Sequence, residues 1–144
     1  MKNALIILCI IFSTTLFAQE EWGDVQKNVV TLKEIPPVWP GCEKGNVAKR
    51  DACFNNMLAQ HIAKNFKYPP QAYKNNDQGR VVVKFIINKE GLVEIKDVSG
   101  GSAALQKEAK RNILAMPKMS KPGMMGGKPR PINFTVPITY KTGK

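Results

Sequence analysis

Histidine occurs once, at His61, and acidic residues are outnumbered, 11 against 22 basic ones. These scarcities remove most enzyme chemistry. General acid–base or nucleophilic catalysis needs a base within reach of a nucleophile and a third group to orient it. No nucleophile elbow, no phosphate-cradling glycine loop after a strand and no pair of carboxylates in a catalytic spacing occurs. Cysteine is sparse as well: Cys9 sits in an N-terminal apolar run, and only Cys42 and Cys53 lie beyond it. With one histidine they fall short of the ligand number and close spacing of a zinc site. No metal and no other cofactor is expected. Lysines are scattered instead of clustering among stacking aromatic residues, so nucleic acid is not an expected partner. Long apolar runs are missing too, since the stretch from Ala4 to Phe12 is shorter than the about 20 residues that span a bilayer.

The N-terminus has a positive start at Lys2, an apolar run holding Leu5, Ile6, Ile7, Leu8, Ile10 and Ile11, and Ala18 after Leu16 and Phe17. This is the pattern of a secretory signal, residues 1–18, cleaved after Ala18. Retention as an uncleaved inner-membrane anchor is the rival expectation. Cys9 has no small residues before it, which argues against lipid attachment. Export places Cys42 and Cys53 in an oxidising compartment, where a disulfide is the natural outcome. Closing that loop would contribute about 2–4 kcal/mol, a useful margin for one small domain in a chain of 144 residues with 43% hydrophobic content. The formal charge is +11, or +10 once Lys2 leaves with the signal. Such a surface suits anionic partners, and a cationic structural protein holding peptidoglycan or anionic polymers is one functional reading.

Residues 19–50 read as an extended segment containing the start of the disulfide loop. Within it, Pro36, Pro37 and Pro40 stiffen an approach to Cys42 that lies over the domain without joining its sheet, with Trp39 docked on the core. Residues 51–144 read as the folded domain. Phe54, Met57, Leu58, Ile62 and Phe66 recur at helical steps and predict a helix from Asp51, as cap, to about Asn65. His61 lies beside that stripe as a packing or surface residue. Tyr68-Pro69-Pro70 stops the helix before a short turn over residues 71–74. Val81, Val83, Phe85 and Ile87 alternate on one face of a strand. Asn88-Lys89-Glu90-Gly91 turns it back through Val93 and Ile95. Ser102 can cap a second helix with stripe Leu105, Ala109, Ile113 and Met116, ended by Pro117. Residues 117–131 have no period and read as a cationic, mobile connector. Its Met119, Met124 and Met125 impose no coordination geometry for copper and are read as apolar cover.

The last strand places Ile132, Phe134, Val136 and Ile138 on a buried face. Pro131, Asn133, Thr135 and Pro137 share one lateral direction in the sheet plane. Because proline donates no ladder hydrogen bond, that set should point to solvent, making this an edge strand. Its donors at Asn133 and Thr135, bracketed by prolines, leave a short window for one added peptide strand.

The order of these parts, with Tyr68-Pro69-Pro70-Gln71-Ala72-Tyr73, then Gly79-Arg80-Val81-Val82-Val83-Lys84-Phe85, then Ile132-Asn133-Phe134-Thr135-Val136-Pro137-Ile138, resembles the C-terminal domain of TonB over roughly residues 54–140. The resemblance implies an α+β fold with two helices packed on a three-stranded antiparallel sheet. It implies a periplasmic binding module in transmembrane transport that takes a segment of an outer-membrane TonB-dependent transporter as an added strand. Carried over by position, the contact residues are Arg130, Ile132, Asn133, Phe134, Thr135 and Val136, with Asn65, Lys67 and Tyr68. The apolar segment has no histidine of the kind the family's anchor uses to engage the proton-driven motor, so the implied role is binding without energisation. An unoccupied edge could also pair with its own copy as a homodimer.

Overall fold

A computed structural model describes residues 33–143; the expected signal and its cleavage site lie outside them. The architecture is α+β. Strands β2 (Gly79–Ile87), β3 (Val93–Ser99) and β6 (Ile132–Tyr140) form an antiparallel sheet in the order β3-β2-β6. Helices α1 (Val47–Lys64) and α3 (Ala103–Leu114) contribute the buried Phe54, Leu58, Leu105, Ala109 and Ile113, and the one-turn α2 (Pro70–Lys74) contributes Ala72. The alternation expected in β2 is observed: Val81, Val83, Phe85 and Ile87 are buried while Arg80 and Lys84 are exposed. Pairing of β2 with β3 shifts register between Lys84 and Phe85, whose partners are Asp97 and Ile95. Lys96 is left over as a bulge, so Lys96 and Asp97 are both exposed and Val98 returns to the core side.

Helix α1 begins at Val47, ahead of the expected Asp51. Asn46 is its cap: it is extended (φ −76, ψ 175) and its side chain accepts from the Lys49 N–H at 2.9 Å. Asp51 lies inside the helix, where it accepts a long bond from Asn55 Nδ2 at 3.5 Å. Cys53 is consequently a helical residue, and its disulfide with Cys42 (Cα–Cα 5.7 Å) ties the N-terminal strap to α1. Helix α3 starts as expected, with Ser102 accepting from Leu105 N–H and donating its own hydroxyl to Asp77. The preceding turn requires glycine: Gly100 has φ +77, and a Cβ there would lie 2.3 Å from the Arg80 carbonyl oxygen.

The connector after α3 is more ordered than its composition suggests. Gly126 (φ 58) and Gly127 (φ 75) supply the left-handed pair of a tight hairpin, which joins β4 (Met124–Met125) to β5 (Lys128–Pro129). Strand β1 (Glu34–Ile35) pairs with β4, completing a second small sheet, β1-β4-β5. The strap thus pairs with the connector and stays out of the main sheet. Val38 N–H donates to the Lys121 carbonyl at 3.0 Å, and Ser120 N–H donates to Val38 at 2.9 Å. Met119 is buried in the core, as an apolar cover should be, and its N–H donates to Gly91 in the β2–β3 turn. Trp39 is 4% exposed and packs edge-on to Phe54 at 5.7 Å, as expected of a docked tryptophan.

Candidate functional site

Strand β6 is an edge of the main sheet, and among the described residues no strand pairs with its outer side. Its register with β2 is uninterrupted from Gly79↔Tyr140 to Ile87↔Ile132. In an antiparallel pair, hydrogen-bonded and non-hydrogen-bonded pairs alternate. Pro137 lies opposite Val82 and has no N–H, so its pair belongs to the non-bonded class. Parity assigns Thr135↔Lys84 and Asn133↔Ile86 to the same class, which turns the N–H and C=O of Asn133 and Thr135 outward. Meanwhile Ile132, Phe134, Val136 and Ile138 face the core side. Phe134 is stacked against Phe54 at 5.1 Å and Phe85 at 5.3 Å, so aromatic contacts anchor the inner face of the strand.

At its first residues this edge borders an open groove of about 420 Å³. Ile132, Asn133 and Phe134 line it from β6, Val47, Ala48 and Asp51 from α1, and Lys33, Glu34 and Pro36 from the strap. The strap and helix residues were not among those expected. The available signal was the pairing of Cys42 with Cys53, which folds the strap back against the start of α1. Close approach of the connector helps set this end of the strand, since a Cβ on Gly123 would fall 2.1 Å from the Ile132 side chain. Arg130 N–H closes the hairpin onto Gly123 at 2.9 Å while its side chain is exposed.

Asn65, Lys67 and Tyr68 gather at the other end of β6. Tyr68 packs edge-on to Tyr140 at 5.5 Å and Phe66 lies 5.0 Å from Tyr140. The nine residues of β6 span roughly 26 Å at about 3.3 Å per residue, so these residues are not in the groove at Ile132. Two of them are engaged in structure. Tyr68 donates its hydroxyl to the Asp77 carbonyl at 2.5 Å, and burial, with the Asp77 charge, raises the phenol above its usual range. Asn65 caps α1, donates to the His61 carbonyl at 2.9 Å, and accepts at its own carbonyl from Arg111 Nη2 at 2.7 Å. Lys67 is exposed.

His61 is part of the same joint. With Nδ1 accepting from Asn65 Nδ2 at 3.2 Å, the proton sits on Nε2, which donates to the Asn112 carbonyl at 2.9 Å. Asn112, 1% exposed, sends its Nδ2 back to the Ile62 carbonyl at 3.0 Å. The histidine thus joins α1 to α3, a packing role. At the end of β6, burial pushes the Tyr140 phenol up to about 12, with the Glu108 carboxylate adding to the effect.

The sequence fits the family described as Gram-negative bacterial TonB protein C-terminal over residues 64–142. Two solution structures of the Helicobacter pylori TonB C-terminal domain are similar to it. The longer form is 19% identical with a TM-score of 0.44, covering 69% of this chain and 96% of that one. The shorter is also 19% identical, with a TM-score of 0.38 over 63% and 96%. Among curated proteins none matches significantly. The family match contains α2, β2, β3, α3 and β6, the elements that make and support the open edge, and covers more than half of the sequence: the chain belongs to the family of Gram-negative bacterial TonB C-terminal domains.

Proposed function

We propose that this protein is a periplasmic TonB-type binding module that engages an outer-membrane TonB-dependent transporter by taking a periplasmic segment of it as an added strand along β6. The observation that carries the proposal is the outer edge of β6, unpaired among the described residues, where Asn133 and Thr135 offer donors and acceptors between Pro131 and Pro137. Backbone pairing would supply affinity there, and the groove at Ile132–Phe134 would receive alternate side chains of the guest. The proposed role is recognition, without energisation and without catalysis. Among the described residues no helix is long and apolar enough to cross a membrane, and the family, with the expected signal, supports the periplasmic placement.

The test is a pull-down from envelope extracts with the mature protein beside Asn133→Pro, with bound proteins identified by mass spectrometry. The substitution deletes one outward donor and keeps the charge. Loss of a ladder bond plus a proline ring at the edge should weaken binding about tenfold or more. Recovery of a transporter by the wild type alone supports strand addition; equal recovery by both proteins refutes it. The net charge of +11 favours a second reading, a peptidoglycan- or polymer-binding envelope protein. Equal recovery of cell-wall material, collapsing as salt rises, would support that reading.

A further inference from the structure

We infer that the strap ahead of the family-matched region is the second half of the docking site: with the first turns of α1 it forms a charge-selecting wall opposite β6, and the accepted strand carries a cationic side chain facing Glu34 and Asp51. This inference rests on the strand-addition reading above and names the guest's chemistry.

The strap and β6 both present edges that pair with no other described strand. Among the described residues β1 pairs only with β4, and β6 only with β2, and Glu34 and Ile132 line the same groove. The strap is also fixed in place before any guest arrives. It is held by the β1–β4 pairs, the Val38–Lys121 bridge, the buried Trp39 and the Cys42–Cys53 disulfide. A wall held this way costs a guest little ordering entropy, which is the advantage of preorganisation.

Charge then selects the guest. Glu34 and Asp51 line the groove with one cationic residue, Lys33, so its charged lining is net acidic within a chain of net charge +11. The ion pairs among the described residues are Lys96–Glu94 and Arg111–Glu108, so neither groove carboxylate is in a salt bridge with another described residue. Apart from Asn133, the remaining lining is apolar: Pro36, Val47, Ala48, Ile132 and Phe134. An extended segment with small apolar side chains and one Lys or Arg at this end matches it. A carboxylate at that position would meet two others.

The test uses the full mature chain and two series of short synthetic peptides of alternating Ser and Val, identical except for a single Lys or a single Glu scanned along them. Amide-shift titrations by NMR read affinity and location together. At one scan position the Lys peptide should bind about two- to fivefold tighter than its Glu counterpart, the size expected of partly exposed charge pairs. Glu34→Gln with Asp51→Asn should erase that preference, and Glu34→Lys should invert it. Asn133→Pro should weaken both series. If both series bind equally and Asn133→Pro still weakens them, the docking edge stands and the charge wall is refuted. If Asn133→Pro changes nothing, the strand-addition reading fails with it. Tighter binding of the Glu series, or no shift at Glu34 and Asp51, overturns the inference. Concentration-dependent dimerisation that Glu34→Lys abolishes would assign the groove to a second copy and overturn it as well.

Discussion

Removing the disulfide by Cys42→Ala with Cys53→Ala should separate the strap from α1 without unfolding the domain. The cross-link joins residues at a sequence separation of 11, and loop-closure entropy for a ring of that size corresponds to about 3 kcal/mol at room temperature. A domain of this size has about 5–15 kcal/mol of total stability, so the variant should remain folded at ambient temperature. Cys42 is 3% exposed, and alanine in its place leaves a small void that adds to the loss. Urea unfolding followed by fluorescence, which reports the packed Trp39, is the assay. The midpoint should fall, and the m-value should rise, because an uncross-linked denatured chain exposes more surface. Hydrogen exchange should show where the native state loosens. The Val38 amide, bonded to Lys121, and the Cys42 amide, bonded to Trp39, should lose protection before amides of β2. A loss below about 1 kcal/mol with an unchanged m-value would refute the reasoning, since the bond would then restrict neither the denatured chain nor the strap.

Two further perturbations probe the joint at the far end of β6. Asn112→Leu removes the amide that donates to Ile62 and the buried Oδ1 that has no partner among the described residues. Stranding the Ile62 carbonyl should outweigh relief of the orphan oxygen, giving a net cost of about 1–2 kcal/mol by chemical denaturation. Tyr140→Phe should be neutral or slightly stabilising at neutral pH, because the buried Tyr140 hydroxyl also lacks a partner among the described residues. Its signature appears in alkali. A phenol raised to about 12 when folded, against about 10 unfolded, keeps its proton longer in the native state, so its contribution is full below pH about 10 and is lost as pH rises through 12. Wild-type stability should therefore fall across that window more steeply than that of Tyr140→Phe, as read by denaturation midpoints at stepped pH; parallel decline would refute the assignment.

The parts that repeat with a clear period were legible in the sequence. Val81 to Ile87 and Ile132 to Ile138 each alternate, and Leu105, Ala109 and Ile113 mark one helix face, so strands and helix follow from burial alone. The start of α1 was misplaced because Asp51 and Asn46 are both good caps, and the helix takes the earlier one, whose side chain accepts from the Lys49 N–H. The β4–β5 hairpin escaped because each strand is two residues long, too short for any period. Gly126-Gly127 was its one local sign, and its stability comes from pairing with a distant strap. Asn112 was hidden for a different reason: a polar residue beside Ile113 reads as a solvent position until its carbonyl partner on α1 is known. The groove combines both difficulties, since its walls come from the strap, α1 and β6, and no spacing within one segment announces it.

The two edges of the main sheet are treated differently, and the contrast bears on function. On β3 the bulge at Lys96 twists the edge and leaves Glu94, Lys96 and Asp97 exposed along it, a combination that discourages strand pairing. Strand β6 has no bulge against β2 and no charged residue from Ile132 to Tyr140. Its defence is limited to proline at Pro131 and Pro137, which block continuous pairing from either side yet leave Asn133 and Thr135 available between them. A sheet protected only for solubility would guard both edges in similar ways. Here one edge is closed by charge and distortion while the other keeps a bounded window beside the groove, the arrangement that the proposed addition of one short strand requires.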